Sequence, residues 1–184
     1  QADAALENEL RDALKGNQFS LEYQPIVDAK SLEIVGLEAL IRWDHPTRGR
    51  RLPIQFIRLA DESGLMDLLG NWVIGEVCRE MKAKTDQGID LPRVAINVSP
   101  RQFQNHNLCE ELLASIEANG IEPSKISIEI TEELLIDNSE QVRATLQRIH
   151  SHGVGISIDD FGTGYSSLQY LRDLPANCLK IDRT

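Results

Sequence analysis

The chain has 184 residues, 41% of them hydrophobic and 26% charged, so it is long enough to bury the core of one domain. Its formal net charge of −10 argues against a nucleic-acid polymer or an anionic membrane surface as the main partner, but it allows a small phosphorylated ligand held through metal ions. No apolar run approaches the roughly 18 residues of a membrane-spanning helix, and the N-terminal segment lacks a signal-peptide profile, so direct membrane insertion is not expected.

The chain is predicted to begin with an amphipathic helix over residues 6–14, because apolar side chains recur four apart among mixed charges. Residues 1–16 would form a lead-in or linker segment. Strands are predicted over residues 20–27 and 34–43. Only residues 28–33 separate them, which is too short for a helical crossover, so the two strands should pair antiparallel.

The rest of the chain is predicted to alternate between helices and strands. Two helices come first, over residues 53–63 with a proline in the first turn and over residues 66–86 with an apolar stripe. Strands then follow over residues 94–98, 126–130, 155–158 and 178–181, and helices around residues 108–119, 139–152 and 167–172. Crossovers of this length predict a parallel sheet with helices outside it.

Six strands are predicted, whereas a (β/α)8 barrel has eight strands in about 250 residues. The chain is therefore an open sheet or a barrel sequence that ends early, and the motifs described below favour the second. We predict an α/β fold, a TIM-like (β/α)8 barrel with an antiparallel first strand pair, present here as roughly its first six strands. Because barrel closure removes sheet edges, residues 1–184 alone are expected to fold poorly and to lack activity.

Two adjacent carboxylates, Asp159 and Asp160, follow the apolar run 154–158 and begin a glycine-rich stretch. Adjacent side chains on a strand diverge, but at a strand end where glycines let the backbone turn, both can reach one pole. Their mutual repulsion is offset best by a hard divalent cation. The alternative is an Asx-type turn in which the aspartates only cap backbone amides.

Each predicted strand after the first ends in polar groups that could serve one site. In a parallel barrel these ends converge on one face, where such enzymes place their chemistry. The oxygen-only ligands match Mg²⁺ or Mn²⁺, and the absence of histidine and cysteine among them argues against zinc. The residues are Glu38, Asn97, Glu129 with Glu132, Asp159 with Asp160, and Lys180 with Asp182.

Each of these residues also has a structural interpretation. Glu38 could be a buried carboxylate that Arg42 neutralises, although a reach of four residues along a strand is awkward. Asn97 could form an Asx turn that starts a helix. Glu132 could be a solvated acid at a helix start, and Lys180 could only pair with Asp182. His45 falls in an apparent loop and carries no functional prediction.

Five motifs together resemble the EAL domain family, bacterial phosphodiesterases that linearise cyclic di-GMP to pGpG. The likeness follows the family's order and runs from about Leu6 to Thr184. The motifs are Glu38-Ala39-Leu40-Ile41-Arg42, Asn97-Val98-Ser99, Glu129-Ile130-Thr131-Glu132, Asp159-Asp160-Phe161-Gly162-Thr163-Gly164-Tyr165-Ser166-Ser167 and Lys180-Ile181-Asp182.

The resemblance implies hydrolysis in which two Mg²⁺ or Mn²⁺ ions activate water. It assigns Glu38, Asn97, Glu129 and Asp159 to one ion, with Asp159 bridging to a second ion that Asp160 also binds. Two further residues are implied in catalysis, Lys180 as a hydrogen-bond partner of the water and Glu132 as the anchor of the loop after Asp160. The residues implied in substrate binding are Gln24, Arg42 and Asp182.

The family has a further metal-binding glutamate beyond the sixth strand, and this position lies beyond Thr184. The alternative function is therefore a non-catalytic EAL-type domain that binds cyclic di-GMP or a protein partner as a signalling receptor. The resemblance also implies homodimers, and the lead-in helix would suit a linker to a sensor or diguanylate cyclase domain. Three widely spaced cysteines predict reduced thiols, in keeping with a cytoplasmic domain.

Overall fold

The computed structural model describes residues 2–105, 107–136, 140–162 and 174–182. The strands are β1 Phe19–Val27, β2 Ile34–His45, β3 Gly49–Arg51, β4 Arg93–Asn97, β5 Ile126–Thr131, β6 Gly155–Phe161 and β7 Cys178–Ile181. The α-helices are α1 Ala2–Lys15, α2 Ile57–Glu62, α3 Met66–Asp86, α4 Pro100–Gln104, α5 Leu108–Ala118, α6 Glu132–Ile136 and α7 Glu140–Ser151. Single 3-10 turns form at Pro53–Gln55 and Pro123–Lys125.

One sheet contains all the described strands, in the order β1-β2-β4-β5-β6-β7, with β3 paired to β2. The β1–β2 pair is antiparallel, as the short connection predicts, and so is the β2–β3 pair. The pairs β2–β4, β4–β5, β5–β6 and β6–β7 are parallel. The sheet curls strongly, because a side chain of β7 contacts one of β2 although three strands lie between them in the sheet. This architecture confirms the predicted partial TIM-like barrel.

The core lies between the sheet and the helices. The central parallel strands are rich in β-branched residues because both of their faces are covered. On β5, Ile126, Ile128 and Ile130 are buried in this core, and the alternating Ser127 and Glu129 are buried on the other face. The inner face of the sheet therefore carries small and acidic side chains where the outer face carries aliphatic ones.

Aromatic side chains pack β1 and β2 against the helices. The ring of Trp43 is fully buried, with its centroid 5.9 Å from that of Phe19 and 5.7 Å from that of Phe56. His45, predicted to lie in a loop, ends β2, where it is buried and contacts Glu9 of α1 at 3.0 Å. The lead-in helix is thus held to the sheet by a hydrogen bond as well as by apolar packing.

Several short elements differ from the prediction. Strand β3 and helices α4 and α6 were not predicted, since elements of three to five residues carry too little periodicity to be recognised. The helix predicted over residues 53–63 is divided at Phe56, which has neither helical nor extended geometry. The helix predicted around residues 167–172 lies outside the described residues.

The two edge strands expose apolar side chains, as expected for an incomplete barrel. Val27 of β1 is about half exposed, and Ile181 of β7 is 81% exposed. The expectation that residues 1–184 fold poorly by themselves stays a prediction. In the described part of the chain, the thiols of Cys78, Cys109 and Cys178 are free, and no helix there is long and apolar enough to cross a lipid bilayer.

Candidate metal centre

Three carboxylates meet on the inner face of the sheet. Glu38 comes from β2, Glu129 from β5 and Asp159 from β6, and one oxygen of each lies within 4.8 Å of the others. The parallel register explains the meeting, because Glu129 pairs with Ser157 and the next inner-face position of β6 is Asp159. Sheet curvature then brings β2 close enough to complete the group.

Asn97 and Lys180 bind to these carboxylates. Asn97, the last residue of β4, donates from Nδ2 to Glu38 Oε1 at 2.9 Å, which leaves its own Oδ1 available as a metal ligand. Lys180 Nζ on β7 donates to Glu129 at 2.6 Å, to Glu38 at 3.0 Å and to Asp159 at 3.3 Å. The predicted convergence of these strand ends is therefore observed.

The cluster carries more negative than positive charge in a partly dry environment. The Glu129 side chain is only 2% exposed, and burial raises its pKa even though the hydrogen bond from Lys180 acts in the opposite direction. Burial would lower the pKa of Lys180, but hydrogen bonds to Glu129 and Glu38 outweigh it and raise the pKa. Oxygen donors around uncompensated negative charge fit a hard divalent ion such as Mg²⁺ or Mn²⁺.

Asp160 is turned by a bulge in β6. The register between β6 and β7 shifts between Ile158 and Phe161, and Asp160 itself has a φ of 54°. Aspartate tolerates a left-handed conformation better than most residues. The backbone turn, which was expected at the glycines that follow, therefore already begins at Asp160. Burial and the charges of Asp159 and Asp182 raise the pKa of Asp160. Asp160 therefore lies beside the cluster, although it is not one of the three grouped carboxylates.

Glu132 reaches the start of the loop that follows Asp160. It is buried at the beginning of α6, and its Oε2 accepts a hydrogen bond from the Gly162 amide at 3.0 Å. The interpretation of Glu132 as a solvated helix-start acid is therefore wrong. Gly162 has a φ of 101°, a conformation that favours glycine, and the loop from residue 163 onward lies outside the described residues.

Arg42 is held by a residue that the sequence analysis did not select. Its Nε donates to Glu22 at 2.7 Å and its Nη1 to the Ile41 carbonyl, whereas Glu38 binds Asn97 and Lys180. The alternative in which Arg42 neutralises Glu38 is therefore wrong. Glu22 lies two residues before Gln24 on the same strand face, which is the spacing that could have revealed it.

A second arginine joins this group from the strand that was not predicted. Arg50 follows Gly49 in β3 and contacts Glu22 at 2.5 Å and Asp44 at 2.8 Å. Gln24 is exposed and pairs with Glu38 across β1 and β2. Polar side chains thus continue from the carboxylate cluster along the inner face of β1, β2 and β3.

Asp182 follows β7, and its backbone amide lies 3.5 Å from the Phe161 carbonyl. Lys180 lies two residues earlier and is engaged with the three carboxylates, so a simple ion pair with Asp182 does not describe it. Asp182 acts electrostatically on Asp160, whose pKa it raises. The structure therefore places Asp182 next to the bulge rather than in the cluster.

Curated relatives align with this chain along nearly all of its length. It is 42% identical over 183 residues to the bifunctional diguanylate cyclase/cyclic di-GMP phosphodiesterase MucR of Pseudomonas aeruginosa, covering 100% of this chain and 27% of the relative. It is also 42% identical over 179 residues to the cyclic di-GMP phosphodiesterase NbdA of the same species, covering 97% of this chain and 23% of that relative. The chain thus spans about a quarter of the length of these relatives.

Solved structures agree with this relationship. The structure of the MucR phosphodiesterase in complex with c-di-GMP has a TM-score of 0.92 at 42% identity, covering 97% of this chain and 72% of that one. The EAL enzyme Bd1971, bound to cAMP and cyclic di-GMP, has a TM-score of 0.90 at 35% identity, covering 99% and 50%. The family profile described as "EAL domain" matches residues 7–184. From the matching profile, fold and carboxylate cluster, the chain belongs to the EAL domain family.

Proposed function

We propose that this domain hydrolyses cyclic di-GMP to linear pGpG at a centre that binds two Mg²⁺ or Mn²⁺ ions. The observation that carries the proposal is the convergence of Glu38, Glu129 and Asp159 with Lys180 at one end of the sheet. The names of relatives at 42% identity support the substrate, and so does the neighbouring structure that was solved with c-di-GMP.

Five residues of this chain would hold the ions. Glu38, Asn97, Glu129 and Asp159 would bind one of them, and Asp159 would bridge to the second, which Asp160 also binds. When bound, such ions polarise a phosphoryl oxygen and lower the pKa of water. The hydrogen bond from Asn97 Nδ2 to Glu38 supports this assignment, because it orients the free amide oxygen of Asn97.

The other site residues would act on the water and the substrate. Lys180 would donate a hydrogen bond to the attacking water and thereby orient its lone pair toward phosphorus. Arg42 would bind a substrate phosphate, since a guanidinium can donate two parallel hydrogen bonds to phosphate oxygens. Gln24 and Asp182 would contribute polar contacts to the nucleotide from opposite edges of the described sheet.

We expect the full protein that contains this domain to turn over cyclic di-GMP with Mg²⁺ or Mn²⁺, to show no turnover in a chelator, and to be inhibited by Ca²⁺. Ca²⁺ prefers more ligands and bonds of about 2.3–2.6 Å, compared with about 2.1 Å for Mg²⁺, so it should distort a compact cluster. Chromatographic separation of cyclic di-GMP and pGpG, with each metal added to chelator-treated protein, measures this directly.

Two outcomes of that experiment would change the proposal. Full turnover in the chelator would contradict a metal-dependent mechanism. Binding of cyclic di-GMP without product in any metal would instead support the receptor alternative, in which the domain signals without hydrolysis. Calorimetry with cyclic di-GMP in Ca²⁺ measures that binding separately from turnover.

Replacement of Glu132 by alanine is expected to lower the turnover rate by about 10- to 100-fold, as for other residues that position catalytic groups. The reason is that Glu132 holds the Gly162 amide and with it the backbone after Asp160. Glu132→Gln keeps an oxygen acceptor and should recover part of the rate. The exposed neighbour gives a matched control, Glu133→Ala, which should leave turnover unchanged.

Turnover by Glu132→Ala at the unsubstituted rate would show that Glu132 does not position the loop. Thermal melting of the same variants separates this role from a general loss of folding. We expect Glu132→Ala to remain folded at the assay temperature while its turnover rate falls, because the lost hydrogen bond to the Gly162 amide contributes about 1 kcal/mol to stability.

We also propose a setting for the domain in a larger signalling protein. MucR is named as a bifunctional cyclase and phosphodiesterase, which supports a linked diguanylate cyclase or sensor domain. A cytoplasmic location and a homodimer belong to the same proposal. The partly buried contact between Glu9 of α1 and His45 supports a connection through which the lead-in helix acts on the sheet.

A further inference from the structure

Lys180 lies at the centre of the three carboxylates that are proposed to bind metal. Its Nζ is within 3.3 Å of oxygens from Glu38, Glu129 and Asp159, which belong to three different strands. We propose that Lys180 is an internal counter-cation, which balances this cluster when no metal is bound and competes with divalent ions for it. The inference rests on the proposed function, since it requires that the cluster binds metal.

The first argument is geometric. An ammonium donates hydrogen bonds over about 2.7–3.2 Å, whereas Mg²⁺ binds the same oxygens at about 2.1 Å. One oxygen of each carboxylate lies within 4.8 Å of the others, and Lys180 Nζ donates to an oxygen of all three residues. A divalent ion that binds the three carboxylates would therefore compete with the ammonium of Lys180 for them.

The second argument is electrostatic. The Glu129 side chain is almost fully buried, and those of Glu38 and Asp159 are mostly shielded from solvent. Three carboxylates this close repel each other strongly when water cannot screen them. The positive charge of Lys180 relieves part of this repulsion, so the metal-free fold depends on it. A metal ion that replaces the ammonium must stabilise the three carboxylates more than the ammonium does.

The third argument concerns the strand that carries Lys180. Strand β7 has four residues and lies at the edge of the described sheet, with its apolar side chains Leu179 and Ile181 exposed. The Lys180 side chain itself is 27% exposed, so its ammonium can move away from the cluster without disturbing the core. Its displaced ammonium would remain near Asp159, which is the region where it is proposed to meet the attacking water.

The test is calorimetric titration of chelator-treated protein with Mn²⁺, together with thermal melting in chelator. Lys180→Met keeps the aliphatic stem and removes the charge. It is expected to bind Mn²⁺ about tenfold more tightly, since a repelling charge a few ångströms away is gone. The same variant should melt at a lower temperature than the unsubstituted protein in chelator, because the carboxylates lose their counter-cation.

Two further variants serve as controls. Lys180→Arg retains the charge and should keep the Mn²⁺ affinity within about threefold of the unsubstituted protein, since the competing cation remains. Lys125→Met removes a lysine that pairs with Asp90 at 2.8 Å outside the site. It should leave the Mn²⁺ affinity unchanged, which excludes a general effect of net charge.

Equal or weaker Mn²⁺ binding by Lys180→Met, with normal binding by the unsubstituted protein, would overturn the counter-cation proposal and leave the metal centre intact. Absence of Mn²⁺ binding in every variant would overturn both. Recovery of a cooperative melt by Mn²⁺, if Lys180→Met is unfolded in chelator, would support the proposal. Failure of Mn²⁺ to restore folding in that case would contradict it.

Discussion

Asp159→Asn is expected to reduce hydrolysis of cyclic di-GMP by about 10³-fold or more, on the scale of removing a central electrostatic group from an active site. The substitution preserves the size of the side chain and one oxygen, but it removes the charge proposed to bridge two ions. Asp159 also lies in the cluster with Glu38 and Glu129, so the same change should weaken binding of Mn²⁺.

The folded state should tolerate this change. The cluster contains three carboxylates and one ammonium, and removal of one negative charge lowers the remaining repulsion. We therefore expect Asp159→Asn to melt in chelator at or above the temperature of the unsubstituted protein. A loss of turnover with retained folding identifies a chemical role for Asp159 rather than a structural one.

The matched control is Asp86→Asn at the end of α3. Asp86 is exposed and pairs with Lys82 one helical turn earlier, far in sequence from every predicted site residue. It should retain full turnover and unchanged Mn²⁺ binding. A rate for Asp159→Asn within tenfold of the unsubstituted protein would contradict the bridging assignment.

Trp43→Ala is expected to lower the free energy of unfolding by about 3–5 kcal/mol, a range typical of large aromatic deletions in a core. Trp43 is fully buried between Phe19 and Phe56, and its indole nitrogen donates to Gln18 at 3.2 Å. The substitution leaves a cavity between β2 and the helices, and it also leaves the acceptor of Gln18 without this donor.

Urea denaturation followed by circular dichroism measures this loss. Leu68→Ala serves as control, because Leu68 is 54% exposed on α3 and its truncation should cost less than about 1 kcal/mol. A cost below about 1.5 kcal/mol for Trp43→Ala would show that the aromatic group between β2 and the helices repacks after truncation. The aromatic group would then not hold β2, the strand that carries Glu38 and Arg42, rigidly against the helices.

Much of the site was predictable because its determinants are local. Period-two alternation along apolar strands identifies Glu129 and Asp159 as inward-facing residues near strand ends. Strand–helix alternation then implies a parallel sheet, and parallel strands place those ends at one edge. The oxygen-only composition of the candidate ligands could also be predicted directly, and so could the antiparallel pairing of β1 with β2.

Non-local packing decided the remaining features. Lys180 is 142 residues from Glu38 in the chain, and their 3.0 Å contact exists only because the sheet curls. Strand β3 forms only by pairing with β2, because a strand of three residues is too short to show a period-two pattern in the sequence. This pairing brings Arg50 to Glu22. The partner of Arg42 and the left-handed turn at Asp160 likewise depend on neighbouring strands. The sequence by itself therefore determined which residues could form the site, whereas sheet curvature and strand register decided which of them touch, because those contacts join segments far apart in the chain.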